Sequence, residues 1–207
     1  MGTSDQGNAH GEYPYIWQGS AELTPRLRYV NSLSYDLPLG PGKLVGRSTQ
    51  GPAAKLLGGW NFSTIVDMTT GAWRRVTTST DTSNTNYGVM PDRICDPRDV
   101  PGGRSRLQWF NVSCFAQPAF GKFGNSPLGV YEDPGLNNWN MAFSKSTVIG
   151  FPNEAARVEF RADLFNAFNH TQWGNATNTT LPSNVNAGRI TSTRPPRQMQ
   201  FSLSFHF

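Results

Sequence analysis

Residues 197–207 read Arg-Gln-Met-Gln-Phe-Ser-Leu-Ser-Phe-His-Phe. In an extended chain, successive side chains point to opposite faces. Met199, Phe201, Leu203, Phe205 and Phe207 therefore share one face, and Gln198, Gln200, Ser202, Ser204 and His206 share the other. The run contains no Gly, Pro or acid. Such strict alternation marks a strand with one apolar and one polar side. Two architectures use a strand of this kind: the last edge of a soluble sandwich, and the closing strand of an outer-membrane β-barrel. A tilted strand crosses a bilayer in about 9–11 residues, and this stretch supplies 11.

The same period recurs upstream. Leu27, Tyr29, Leu33, Tyr35 and Leu37 share a face with Asn31, against Arg28, Val30, Ser32, Ser34 and Asp36. Pro38 and the Gly-Pro-Gly of 40–42 stop that strand. Trp60, Phe62, Thr64, Val66 and Met68 alternate with Asn61, Ser63, Asp67 and Thr69, and this second strand is expected to run on toward Val76. A third covers 139–149, with Trp139, Met141, Phe143, Thr147 and Ile149 on its apolar face. Lys145 falls on that same face, where facing lipid at the midplane would cost about 2–4 kcal/mol. Either a bulge at 144–146 shifts the register, or the strand does not face lipid there.

In the fourth strand Val158, Phe160, Ala162, Leu164 and Phe168 share a face with Asn166, opposite Glu159, Arg161 and Asp163. Helix is the alternative for 154–168, because Glu-Ala-Ala-Arg and Ala-Asp-Leu-Phe favour it. A helix, however, would stack Arg157 with Phe160, Leu164 and Ala167. The period of two fits better, and it aligns three charges on one side of a strand. Such charges need water or partners, and a wet barrel lumen supplies both. Glu159, Arg161 and Asp163 are thus read as lumen-facing.

Composition agrees with strands and polar loops. Hydrophobic residues make up 37% and charged residues 15% of the 207, while Trp, Tyr and Phe number 6, 6 and 13. So many aromatics demand burial and argue against disorder. The 18 basic and 14 acidic residues give a net charge of +4, scattered rather than in runs, which excludes a nucleic-acid footprint. No stretch of about 18 apolar residues offers a transmembrane helix. Cys95 and Cys114 are the two cysteines. They are a disulfide candidate, worth about 3 kcal/mol in the chain-entropy model, with two free thiols as the alternative.

Connection lengths alternate. Residues 1–25 read as a loop or N-terminal stub, 39–57 as a moderate connection, 151–154 as a short link and 169–196 as a long loop. Between Thr77 and about Asn137 some sixty residues are read as irregular. Unstructured loops beyond about 12–15 residues are uncommon in compact soluble domains, whereas long loops on one side are usual for outer-membrane barrels. Placing Phe207 on the periplasmic side makes every long loop extracellular. The expected fold is therefore all-β: an antiparallel meander of about five to six amphipathic strands over 26–207. It would be a partial outer-membrane β-barrel with long extracellular loops. Five strands cannot close, since a small barrel needs about eight.

Several phrases occur together in order. Tyr35-Asp36-Leu37-Pro38-Leu39-Gly40 precedes Leu57-Gly58-Gly59-Trp60 and Thr70-Gly71. Trp109-Phe110-Asn111 with Phe115, Phe123-Gly124-Asn125 and Asp133-Pro134-Gly135 follow. The Phe-Arg-Ala-Asp-Leu-Phe-Asn-Ala-Phe-Asn-His of 160–170 and the Pro-Pro-Arg-Gln-Met-Gln-Phe of 195–201 complete the series. Over 26–207 this order resembles the C-terminal barrel segment of TonB-dependent outer-membrane transporters. The similar branch is the Oar-like one, whose members carry a carboxypeptidase-regulatory-like domain. Asn140 and Asp163 stand where that family often has an acid and Glu.

The resemblance implies a plugged barrel of about 22 strands in the bacterial outer membrane. Such a barrel takes up a bulky nutrient such as a siderophore, oligosaccharide or peptide. The implied partners are outer-membrane lipid, the barrel-assembly machinery and the TonB complex. The last would act through an N-terminal region expected upstream, together with the plug domain and signal peptide, so that this chain is read as a C-terminal piece. The resemblance also implies that Phe201, Leu203, Phe205 and Phe207 form the signal read by the assembly machinery. The alternative function is a soluble secreted β-sandwich that binds carbohydrate or mediates adhesion, motivated by the Asn, Thr and Trp content.

Other motifs point to no chemistry, and neither an enzyme nor a cofactor is expected. Gly40-Pro41-Gly42-Lys43 lacks the Ser or Thr of a phosphate loop. His10, His170 and His206 are far apart in sequence. Asp92, Asp96 and Asp99 lack the spacing of a calcium loop. Asn61, Asn111, Asn169, Asn175 and Asn178 begin glycosylation sequons that chance explains in so Asn- and Thr-rich a chain. Trp73, Arg74, Arg75 and Trp109 are the loop candidates for contacting a sugar or anionic ligand, with plain interface aromatics as the alternative.

Overall fold

A computed structural model of the chain describes residues 23–84, 90–178 and 184–207. The stub read at 1–25 and His10 therefore lie wholly or mostly outside the described residues. In chain order the elements are β1 (Arg28–Asp36), α1 (Pro52–Leu57), β2 (Trp60–Thr69), β3 (Trp73–Arg74) and β4 (Asp92–Arg93). A 3-10 turn (Val112–Cys114), β5 (Phe115–Ala116), β6 (Tyr131–Glu132), β7 (Leu136–Val148), β8 (Arg157–Phe165) and β9 (Gln198–His206) follow. The chain forms two compact units.

The first unit, from Arg28–Met68, Asn137–Thr171 and Pro195–Phe207, holds a five-stranded sheet in the order β1-β2-β7-β8-β9. Each long strand pairs with the next long strand along the chain, which makes the sheet a meander. Among the described residues the sheet is not closed, and β1 and β9 are its edges.

Register explains why these sequences pair as they do. Across β7 and β8, Met141 faces Leu164, Phe143 faces Ala162 and Thr147 faces Val158. Across β8 and β9, Leu164 faces Met199, Ala162 faces Phe201, Phe160 faces Leu203 and Val158 faces Phe205. Every one of these pairs lies on the same face, so a slip by one residue would turn a whole apolar row over. Aromatic rings tie the rows together. Phe62 lies 5.1 Å from Phe143, and Trp60 and Phe201 each lie 6.4 Å from Phe160. Cross-strand pairs of this kind contribute about 0.2–1 kcal/mol each.

The strand ends depart from the sequence reading for local reasons. β2 stops at Thr69 rather than continuing to Val76. Pairing resumes only at Ala72, which bridges Pro25, and a Cβ at the intervening Gly71 would overlap the Asp133 carbonyl, so glycine is what lets the two backbones come this close. β8 ends at Phe165 because Asn166 takes a left-handed φ of 50°. Its side chain then exchanges hydrogen bonds with the backbone of His170, at 2.9 and 3.0 Å. Residues 157–165 are strand, so the helical alternative for this stretch falls. The six-residue α1 interrupts what reads as a plain connection, with Pro52 supplying a fixed φ at its first turn.

The second unit is built from the described residues of Thr69–Leu136 and Gln172–Arg194 with residues 23–27. It corrects the expectation of some sixty irregular residues. Two short ladders, β3–β6 and β4–β5, organise it. Val76, Phe110, Val130, Tyr131, Ala176 and Ile190 form a buried core, with Trp109, Val112, Phe115 and Trp173 packed against it. Phe110 stacks on Tyr131 at 4.3 Å, and the Tyr131 hydroxyl donates to the Ala176 carbonyl. The long connections thus bury apolar surface of their own, which is what lets so much loop hold one shape.

Candidate functional site

The sheet presents two chemically opposite faces, and they are the candidate site. On one face the large side chains are bare: Phe201 is 66% exposed and Leu203 73%. Tyr29, Leu33, Tyr35, Met199, Phe205 and Phe207 are exposed as well. A sandwich strand would bury this row against a second sheet, so the soluble sandwich alternative does not fit. Monomeric soluble proteins rarely leave so large an apolar patch bare.

Lys145 lies within that face. The register runs unbroken through Ser144–Arg161, Lys145–Phe160 and Ser146–Glu159, so no bulge turns it away. Of the two alternatives for Lys145, the bulge at 144–146 therefore falls. Instead, the ammonium donates to the Gly58 carbonyl and sits 5.3 Å over the Trp60 ring. The long apolar stem of a lysine can lie along an apolar surface while its head reaches a polar edge. Gly59 makes this possible. Its φ of 78° is left-handed, and a Cβ there would overlap the Ser146 carbonyl. The Gly58-Gly59 turn can therefore close tightly over β7.

On the opposite face the polar groups pair with one another. Arg28 makes a two-pronged bond to Asp67, at 3.2 and 2.9 Å. Asn61 donates to Asp36 at 2.7 Å. Arg161 grips Asp163 at 2.9–3.0 Å, and Glu159 lies 3.8 Å from His206. Glu159, Arg161 and Asp163 face Ser204, Ser202 and Gln200 of β9, so all of them share this face. A recess of about 150 Å³ opens here, lined by Ser63, Ile65, Asn140, Ala142, Arg161, Asp163 and Phe165 among others. Asn140 accepts from Asn138 and from the Asn166 N–H at 3.2 and 3.1 Å.

In the loop unit the sequence candidates have structural work. Arg74 binds Asp133 at 2.6 Å, and that carboxylate also accepts from the Ala176 N–H at 3.1 Å. The Trp109 indole donates to the Glu132 carbonyl at 2.7 Å, packs edge-on to Trp173 and lies under Arg104. Trp73 pairs with Glu132 in the β3–β6 ladder, and the Arg75 carbonyl accepts from Asn178. Trp73, Arg74 and Trp109 are thus brought around the same strand, β6. Cys95 and Cys114 form a disulfide across a separation of 19 residues.

Beside that disulfide, Arg98 hydrogen-bonds Asp96 and holds its carboxyl well below the usual carboxylate range. Asp92 accepts from the Asn125 N–H instead of joining Asp96. No cluster of three metal-ligating residues occurs among the described residues.

Comparison with known proteins gives one finding. A family model described as "Outer membrane beta barrel domain" matches residues 2–200. No curated relative and no solved structure matches the chain.

Proposed function

Because this chain belongs to the outer-membrane β-barrel domain family, we propose that it forms part of the barrel of a TonB-dependent transporter that takes up a bulky nutrient. The chain is an outer-membrane protein, with a sheet whose strands are 9, 10, 13, 9 and 9 residues long. Those lengths suit tilted strands crossing hydrocarbon. The observation that carries the reading is the bare apolar row from Tyr29 to Phe205, backed on the same strands by paired charges. In this reading lipid covers the first face. Glu159, Arg161 and Asp163 line the lumen, and the bare edges of β1 and β9 pair with further strands.

The finer assignment rests on the ordered phrases from Tyr35 to Phe201 that resemble the Oar-like transporters. Phe201, Leu203, Phe205 and Phe207 would be read by the barrel-assembly machinery, and the TonB complex would engage an N-terminal region. The role is transport, not catalysis. Three observables test it: uptake of labelled ferric chelates, oligosaccharides and peptides by cells with and without the gene, each measured with and without a protonophore. The expected result is one ligand class whose uptake needs both the gene and the proton gradient. Uptake of every class unchanged by deletion would overturn the assignment.

A further inference from the structure

The connection from β1 to β2, residues 37–59, carries more than a turn needs. Lys43, Arg47 and Lys55 give it three positive charges, and it contains no acid. All three are exposed. Between them stand bare apolar side chains: Leu44 is 88% exposed and Leu56 71%. These residues do not hang loose. The Gly40 N–H donates to the Val45 carbonyl at 2.8 Å, the Val45 N–H to Pro38 at 3.0 Å and the Gly42 N–H to Arg47 at 3.2 Å. Gly40, at a φ of 107°, packs so close to Gly58 that a Cβ would stand 2.7 Å from its Cα.

The segment is fastened on one side of the sheet. The Trp60 indole donates to the Leu56 carbonyl at 3.1 Å, and the Lys145 ammonium donates to the Gly58 carbonyl. Trp60 and Lys145 both belong to the bare apolar face, through Phe160 beside the one and opposite the other. The α1 turn is therefore tied to the lipid-facing side at the strand ends nearest Phe207. A surface of exposed leucines among cations, continuous with a lipid-facing wall, has the composition of an interfacial membrane anchor.

We propose that residues 37–59 form a foot that lies on the inner leaflet of the outer membrane. Leu44 and Leu56 enter its boundary, and Lys43, Arg47 and Lys55 bind anionic phospholipid headgroups. The partner is a phosphodiester lipid such as phosphatidylglycerol, because the segment offers cations without competing carboxylates. Each basic residue at an anionic surface raises affinity roughly fivefold, and salt screens the effect. The inference rests on the proposed orientation with Phe207 toward the periplasm.

The test uses the natural gene product. The first readout is the phosphatidylglycerol retained when the protein is extracted with its surrounding bilayer by a styrene–maleic acid polymer. Wild type is expected to retain it above the bulk fraction. The variant Lys43→Gln/Arg47→Gln/Lys55→Gln, with gel mobility still heat-modifiable, is expected to fall back to the bulk fraction, because three fivefold contributions multiply to about a hundredfold in affinity. The second readout is an environment-sensitive dye at Leu56→Cys, which is expected to be shielded from iodide in vesicles containing phosphatidylglycerol.

Equal retention by variant and wild type would overturn the proposal, as would a dye open to iodide. A dye reached by an impermeant reagent outside intact cells, with nutrient uptake intact, would overturn the orientation while leaving transport standing.

Discussion

Lys145 stands 5.3 Å over the Trp60 ring while its ammonium donates to the Gly58 carbonyl. A cation on the apolar face is thus led to a backbone oxygen at the end of the neighbouring strand. The charge sits at the border of the apolar wall rather than in its middle.

Position, not charge alone, should therefore set the energetic effect. Near an interface a lipid-facing lysine costs about 0–1 kcal/mol, against about 2–4 at the midplane. Lys145→Met is expected to change folding stability by no more than about 1 kcal/mol. Phe143→Lys, one pleat further into the strand, is expected to cost about 2–4 kcal/mol. Urea titration of the heat-modifiable band in lipid vesicles measures both, and equal effects would contradict this placement.

Arg74 and Asp133 anchor the loop unit. The Asp133 side chain is only 2% exposed, so removing Arg74 strands a buried carboxylate. Breaking such a pair from one side costs about 3–5 kcal/mol, and the partial exposure of Arg74 puts the expected loss near the low end. Arg74→Ala should speed proteolysis within residues 69–136 sharply. Arg74→Ala/Asp133→Asn should recover part of the resistance, because no charge is left unpaired. A double variant worse than the single would count against the pair.

The disulfide links Cys95 to Cys114, 19 residues apart. Closing a loop of that size restricts the unfolded chain by about 3 kcal/mol in the entropy model. Cys95→Ser/Cys114→Ser is expected to destabilise the loop unit by about that amount. The five-stranded sheet should keep its heat-modifiable mobility, since both cysteines belong to the other unit. Calorimetry before and after reduction reads the first effect, and gel mobility the second.

Asp96 adds a pH dependence of known sign. Arg98 lowers its folded-state pKa, so its contribution is present above the unfolded carboxylate value and is lost as pH falls through the folded one. Both side chains are roughly half exposed, at 42% and 53%, which limits the effect to under about 1 kcal/mol. The stability difference between wild type and Asp96→Asn should be flat from neutral pH to about pH 5 and shrink below about pH 4. A difference that grows on acidification would contradict the pairing.

The five long strands were legible because each repeats apolar and polar residues with a period of two, a signal that needs no partner to be read. Val158, Phe160, Ala162 and Leu164 declared their face before any register was known. The loop core was not legible. Val76, Phe110, Val130, Tyr131, Ala176 and Ile190 come from five separated stretches with no period, and only tertiary contact joins them. Lys145 looked like a register error because its remedy lies in Trp60 and Gly58, 85 and 87 residues earlier. Arg74 and Trp109 drew attention as exposed loop groups, yet burial within the unit gives them partners at Asp133 and Glu132. The six-residue α1 is too short for a helical period to show.

The central claim is that one face of β1, β2, β7, β8 and β9 meets hydrocarbon and the other meets water. Spin labels placed one at a time from Met199 to Phe205, in the natural gene product folded into lipid vesicles, test it most directly. Collision rates with oxygen and with a water-soluble nickel chelate would be read at each site. The expected result is alternation: oxygen favoured at 199, 201, 203 and 205, nickel favoured at 200, 202 and 204. Rates without that alternation, or the apolar sites sealed from both reagents, would contradict it.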